Sequence, residues 1–443
     1  MRLSLILTVW ALAVFSSPAG ALKIDSPAYL EQAAELLQAG RHDLARTYLE
    51  PALIDFRLTA GQRSQAYYLR GYSFYAQGMY VSANKDYNRA LEFHPANPAA
   101  LSAVAHLHAE GLGVEQNADL AAAFFEQAAR TGHPPALLNL GIAYLRGRGV
   151  EQDVDSARRL LAEAADAGLG TAMIHLAQSY RAPLADPPQP AQARDWYRKA
   201  ADAGVTDAYA YLGFMAEAGE GGEADAEAAR EYFQQAAAGG SAVAQAKLGH
   251  MHLTGEGAAA DPDRARLLFE QAADQGHPTA YMGLAYLYET GTAVQADRDQ
   301  ALHWYGKAAD AGLVDAQIRM AYTALRAGDL EAQQQAGKWL ARAAAQNSPQ
   351  ALNDYAWLLA TSPFEQVRNG QQAVTLALQA VSRNRSPGYL DTLAAAYAET
   401  GKFDRAVATQ REALTLVPED EGALAAELQS HLDAFESGDP WRE

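Results

Sequence analysis

The chain has 443 residues, 49% hydrophobic and 20% charged, which is enough apolar material for a large core and too much for a disordered chain. It has no cysteine, which excludes disulfide scaffolds, thiolate metal sites, cysteine nucleophiles and lipid-modified cysteines. Its 53 Asp and Glu against 35 Lys and Arg give a net charge of −18, which phosphate backbones and anionic lipid headgroups repel, so nucleic acid is not an expected partner.

Residues 1–21 read as a secretory signal peptide. Arg2 is the positive start, Leu3 to Phe15 the apolar core, and Ala19, Gly20 and Ala21 the cleavage site. The apolar run is well short of the ~20 residues that span a bilayer. The expectation is a cleaved leader, a mature chain from Leu22, no membrane span after cleavage, and a periplasmic or secreted location.

Further along, the sequence repeats itself. Gly132, Gly168, Gly204, Gly240, Gly276 and Gly312 stand 36 residues apart, and four residues after each comes Ala136, Ala172, Ala208, Ala244, Ala280 or Ala316. Within one period, Ala121, Phe124, Phe125, Ala128 and Ala129 form the stripe of an amphipathic helix, and Ala136, Leu140, Gly141 and Tyr144 mark another. The repeat glycine between them suits the left-handed backbone that ends a helix. Each period is therefore predicted to be a helical hairpin. Phe125, Leu161, Tyr197, Phe233, Phe269 and Tyr305 share one register as core side chains. Small residues at Gly141, Ala177, Gly213, Gly249, Ala285 and Ala321 let a neighbouring helix approach closely. A lone hairpin cannot bury both faces, so the periods must stack.

The pattern AxxxLGxxYxxGxGV, here Ala136, Leu140, Gly141, Tyr144, Gly147, Gly149 and Val150, and its continuation through Ala193, Trp196, Tyr197, Ala200, Ala201 and Gly204, resembles Sel1-like repeats, relatives of tetratricopeptide repeats. The resemblance covers residues 97–346. The flanks resemble tetratricopeptide repeats of period ~34. In 22–95 they show Tyr67, Gly71, Phe74, Gly78, Ala83, Tyr87, Ala90 and Pro95, with Arg70 where leucine is usual. In 347–419 they show Leu390, Leu393, Ala394, Tyr397, Gly401, Ala406, Ala413 and Pro418, with Gln410 at a usually aromatic place. Residues 420–443 read as a capping helix, with Leu424, Leu428, Leu432 and Phe435 on one stripe, and a tail. The implied fold is all-α, a right-handed superhelical solenoid of about eleven hairpins.

The departures have shapes of their own. Pro183, Pro187, Pro188 and Pro190 predict a stiff loop in one period, Asn347 takes the place of a repeat glycine, and Thr361 to Gly370 reads as a longer connection.

No catalytic set emerges. The pairs His106/His108 and His250/His252 sit two apart on helices, so each pair points apart rather than chelating, and His108 and His252 take the core place of Tyr144. Glu217, Glu220, Glu223, Asp225 and Glu227 lack calcium-loop spacing and read as a solvated loop. No metal or other cofactor is expected, and no enzyme.

The family resemblance places partners on the concave face, lined by the helix after each repeat glycine. Two residues after its leucine stands a row expected to point into the groove: His106, Ile142, Gln178, Phe214, His250, Tyr286 and Tyr322. The reading is an exported, non-enzymatic scaffold that binds proteins or extended peptides, with a basic patch on the partner to suit the net charge. Two alternatives are an accessory subunit of an envelope polysaccharide export or assembly machine, and an enzyme acting on cell-wall material. The oligomeric state is left open.

Overall fold

The computed structural model describes residues 26–181, 183–184, 187–257, 259–418 and 420–443. The signal peptide expected at 1–21 lies outside the described residues. Two compact units are present: one runs to Met215 and takes in Gly219–Glu223, and the other comprises Ala216–Ala218 and Ala224–Glu443.

The first unit holds α1 (Ser26–Gln38), α2 (His42–Ile54), α3 (Ala60–Ala76), α4 (Tyr80–Phe93), α5 (Pro98–Glu110), α6 (Ala118–Ala129), α7 (Pro134–Arg146), α8 (Val154–Asp166), α9 (Gly170–Ser179), α10 (Pro190–Asp202) and most of α11 (Thr206–Ala218). The second holds α12 (Ala226–Ala238), α13 (Ala242–Thr254), α14 (Pro262–Asp274), α15 (Pro278–Thr290), α16 (Arg298–Asp310), α17 (Val314–Leu325), α18 (Leu330–Ala344), α19 (Pro349–Thr361), α20 (Gly370–Arg383), α21 (Pro387–Glu399), α22 (Phe403–Thr415) and α23 (Gly422–Glu436). The described residues thus form consecutive hairpins and a final helix, an all-α solenoid fold. First helices of neighbouring hairpins meet, α5 with α7 and α7 with α9 in one unit, α13 with α15 and α19 with α21 in the other.

The repeat is kept by local chemistry. Helices α6, α8, α10, α12, α14 and α16 begin at Ala118, Val154, Pro190, Ala226, Pro262 and Arg298, each 36 residues after the last. Asn117, Asp153, Asp225, Asp261 and Asp297 cap five of them by accepting from the first backbone N–H groups, which would otherwise have no acceptor. The backbone N–H of each cap residue also donates to a carbonyl of the preceding helix, as in Asn117 to His108 at 2.8 Å and Asp261 to His252 at 2.7 Å. In the proline-rich period Gln189 keeps this bond, to Tyr180 O at 2.8 Å, without a side-chain cap. The helix register is therefore the same on both sides of this connection.

Phe125, Leu161, Tyr197, Phe233, Phe269 and Tyr305 are all buried, as their shared register implies. Burying such a side chain contributes about 1.5–3 kcal/mol. The small residues beside them are set by approach distance: a Cβ on Gly249 would stand 2.8 Å from the Phe269 ring, and one on Gly141 2.8 Å from the Leu161 side chain. Asn347 is left-handed, with φ 63°, where the repeat glycines are left-handed elsewhere. The connection between α19 and α20 is irregular.

Arg70, at a place where leucine is usual, is explained by its partner. Its guanidinium donates two hydrogen bonds to the buried carboxylate of Asp86, at 2.7 and 2.8 Å, which raises the Arg70 pKa. Arg70→Leu leaves that carboxylate without its counter-charge and is expected to cost about 2 kcal/mol, because one partner of a largely buried pair is removed. Arg70→Leu with Asp86→Ala recovers most of the loss in urea denaturation. Equal losses in the single and double variants would show that the pair is not the cause.

At the other end, α23 buries Leu428, Leu432 and Phe435. Residues 439–443 then turn back over α19 and α21: Glu443 N donates to Thr361 O at 2.9 Å, and Trp357 Nε1 donates to the Glu443 carboxylate at 3.0 Å.

Candidate partner-binding face

The seven row residues lie on first helices, four in the first unit (His106, Ile142, Gln178 and Phe214) and three in the second (His250, Tyr286 and Tyr322). None belongs to the buried core. Three bridge to a neighbouring repeat. His106 Nε2 shares a 2.9 Å hydrogen bond with Tyr75 OH on α3, Gln178 Nε2 donates to Tyr211 OH on α11 at 3.3 Å, and Tyr322 OH donates to Asp354 on α19 at 2.5 Å. Burial of the hydroxyl end, with the bond to Asp354, pushes the Tyr322 pKa up to about 12, so it is a neutral donor near pH 7. Phe214, Tyr286 and Tyr322 nevertheless keep 37, 47 and 45% of their surface in solvent. His250 is exposed as well.

The histidine pairs divide in the same way. His252 is buried, and burial lowers its pKa, whereas His108 is only half-buried and stacks on Phe124. The core place expected for both is filled by one of them.

Two clefts lie beside the row. In the first unit a cleft of about 580 Å³ between α5, α6 and α7 has Phe125 and Ile142 in its wall and Asn139, Arg146 and His175 at its polar side. In the second unit a cleft of about 990 Å³ between α15, α16 and α17 is lined by Tyr305, Arg319, Tyr322 and Arg326. The clefts are in one register: adding five periods to Phe125, Asn139, Ile142 and Arg146 gives Tyr305, Arg319, Tyr322 and Arg326. In the second, Tyr305 OH donates to Glu289 at 2.8 Å, and Arg319 donates to the same carboxylate at 2.6 Å. Sequence reasoning singled out Ile142 and Tyr322 but missed the arginines. Comparing the residue four places after each row member across periods would have shown Arg146 and Arg326.

The acidic stretch read as a solvated loop is partly structural. Glu220 pairs with Arg181 at 2.8 Å in the first unit, and in the second Glu217 pairs with Lys247 while Asp225 caps α12. Glu220 and Glu217 hold neighbouring repeats together, since their partners lie 39 and 30 residues away in the sequence, whereas Asp225 acts within its own helix.

The family profile of the Sel1 repeat matches residues 64–94, 98–133, 134–169, 171–205, 206–241, 242–277, 278–313 and 314–348, which is more than half of the chain. The chain belongs to the Sel1 repeat family. The first of the eight Sel1 matches lies in the stretch whose residues resemble tetratricopeptide repeats. Among solved structures the chain is similar to a protective antigen of uropathogenic Escherichia coli strains that displays an SLR fold, with 24% identity, a TM-score of 0.52, and 94% of this chain and 92% of that one covered. It is also similar to a Sel1 repeat protein from Oxalobacter formigenes, with 28% identity, a TM-score of 0.45, and 52% of this chain and 95% of that one covered. No curated protein matches. The Sel1 repeats thus form a helical scaffold of a kind suited to protein partners. No helix among the described residues is long and apolar enough to cross a membrane.

Proposed function

We propose that this Sel1 repeat protein is an exported, non-enzymatic scaffold that binds a partner protein or an extended peptide along its first helices. The observation that carries the reading is the large aromatic side chains at one register, Phe214, Tyr286 and Tyr322, held on rigid helices with more than a third of their surface in solvent. Rigid aromatic anchors bind at little entropic cost. The leader motif supports export to a periplasmic or extracellular space. The net charge of −18 favours a partner with a basic surface, drawn in by long-range attraction that salt weakens.

The test uses the tagged chain recovered from an envelope fraction, with its N-terminus read at Leu22. The partner is identified by cross-linking and purified, and its affinity is measured at low and high salt. Phe214→Ala with Tyr286→Ala is expected to weaken binding at least about tenfold, as the loss of interface aromatics does, with helicity and melting nearly unchanged. Undiminished binding, or a collapse of melting, would overturn the assignment of this face.

A further inference from the structure

The clefts depart from the charge of the whole. In a chain of net charge −18, the first-unit cleft is lined by Arg146 and Arg148 against the single carboxylate of Glu110. Neither arginine has a side-chain hydrogen bond or ion pair among the described residues, and both are exposed. This differs from Arg181 in the same unit, which is held by Glu220. Arg146 is the last residue of α7 and projects beside Ile142, one turn earlier on the same helix. Asn139 and His175 add hydrogen-bonding groups, and Ala121, Ala122 and Phe125 supply an apolar wall.

The arrangement recurs. Arg326 stands five periods after Arg146 and lines the second unit's cleft, again beside a row residue, Tyr322, and it too lacks a side-chain partner among the described residues. At the same place Glu110, Ala218, Thr254 and Thr290 stand in other periods. Arginine therefore occupies this register at the two clefts and not in those four periods. An unpaired guanidinium beside an apolar wall offers a planar fork of donors that matches a carboxylate.

We infer that the cleft between α5, α6 and α7 receives a carboxylate carried on an extended segment of the partner protein, with Arg146 and Arg148 as its counter-charges and the Phe125 and Ile142 wall taking the neighbouring apolar side chain. The inference deepens the scaffold reading and rests on it. A partner that is basic in bulk and acidic at this one contact meets both the long-range field and the local arginines. His175 is a built-in reporter: burial lowers its pKa, Arg146 lowers it further, and its bond to Gln178 opposes them. A carboxylate against Arg146 would move that pKa upward.

The experiment uses the full chain and three fluorescein-labelled peptides of one leucine-containing sequence. One carries glutamates and an amidated end, one glutamines and a free carboxyl end, and one glutamines and an amidated end. The glutamate peptide, the free-ended peptide or both are expected to bind at least tenfold more tightly than the uncharged one, and the pattern tells side-chain from terminal carboxylate. Arg146→Ala with Arg148→Ala abolishes the preference without changing melting, and the His175 imidazole signal titrates at higher pH with the bound peptide present. Equal binding of all three peptides, a preference that survives the arginine variant, or an unmoved His175 would each overturn the inference. If the purified partner still binds while the peptides show no preference, the cleft assignment fails and the scaffold reading stands. If no partner is recovered, it is the scaffold reading that fails.

Discussion

Gly149→Ala is expected to lower the stability of the first unit by about 3–5 kcal/mol, from backbone strain and overpacking together. Gly149 has φ 71°, and a Cβ on it would stand 2.0 Å from the carbonyl oxygen of Ala118, the first residue of α6 in the preceding hairpin. The obstacle is backbone, which cannot rotate away as a side chain can, so two hairpins must separate. The same approach recurs at Gly257 against Ala226 O, at 2.5 Å. The control is Gly132→Ala, where φ is 76° but nothing lies within 4 Å, so only the left-handed strain of about 1–2 kcal/mol is felt. Ala293 stands at the Gly149 register four periods on with φ 59°, so this loop can hold an alanine at the cost of strain, and Ala293→Gly should regain about 1 kcal/mol. Urea midpoints of the variants, with hydrogen exchange mapping where protection is lost, decide the matter. Similar losses for Gly149→Ala and Gly132→Ala would show that the packing argument is wrong.

The second large effect is expected at the end of the second unit, where Asp391→Ala should cost about 3–4 kcal/mol, because the loss strips an acceptor from buried donors. Asp391 Oδ1 accepts from Gln410 Nε2 at 2.6 Å and from His431 Nδ1 at 2.8 Å, and all three side chains are buried. They join α21, α22 and α23, and Gln410 Nε2 also donates to Leu428 O at 3.0 Å. His431 is packed between Trp441 and Trp357, with ring centroids at 4.3 and 5.7 Å, so it has no room to find another acceptor. Since stability in a repeat stack is largely a sum of neighbouring interfaces, amides of α20 to α23 should lose protection while those of the first unit keep theirs. Asp391→Asn, which retains an acceptor oxygen, should lose much less. Loss of protection spread evenly through both units would contradict this local account.

Gln410 shows how far sequence reasoning reached. It stands at a usually aromatic place and is buried, but the polar group there had no visible reason in the sequence. That reason is Asp391, 19 residues earlier, and His431, 21 residues later. Arg70 is the same case, with Asp86 16 residues on. Periodicity finds which positions face inward, but not which polar side chains reach one another across helices.

The repeat glycines were legible because the left-handed backbone at a helix end admits few residues, and Asn347 was legible as their substitute for the same reason. Gly149 was legible as a motif residue, but its cause, the carbonyl of Ala118 in another hairpin, was not. The row from His106 to Tyr322 could be placed on the first helices from the sequence. Its bridges to Tyr75, Tyr211 and Asp354 could not.

By itself the sequence determined the helical hairpin, its period and the family, since these follow from local helix chemistry and the spacing of small and apolar residues. Only the tertiary structure decided which charges are paired. It put Glu220 on Arg181 and Glu289 on Arg319, and left Arg146 and Arg326 facing two clefts. Pairing depends on the distance between side chains about a repeat apart, and packing sets that distance.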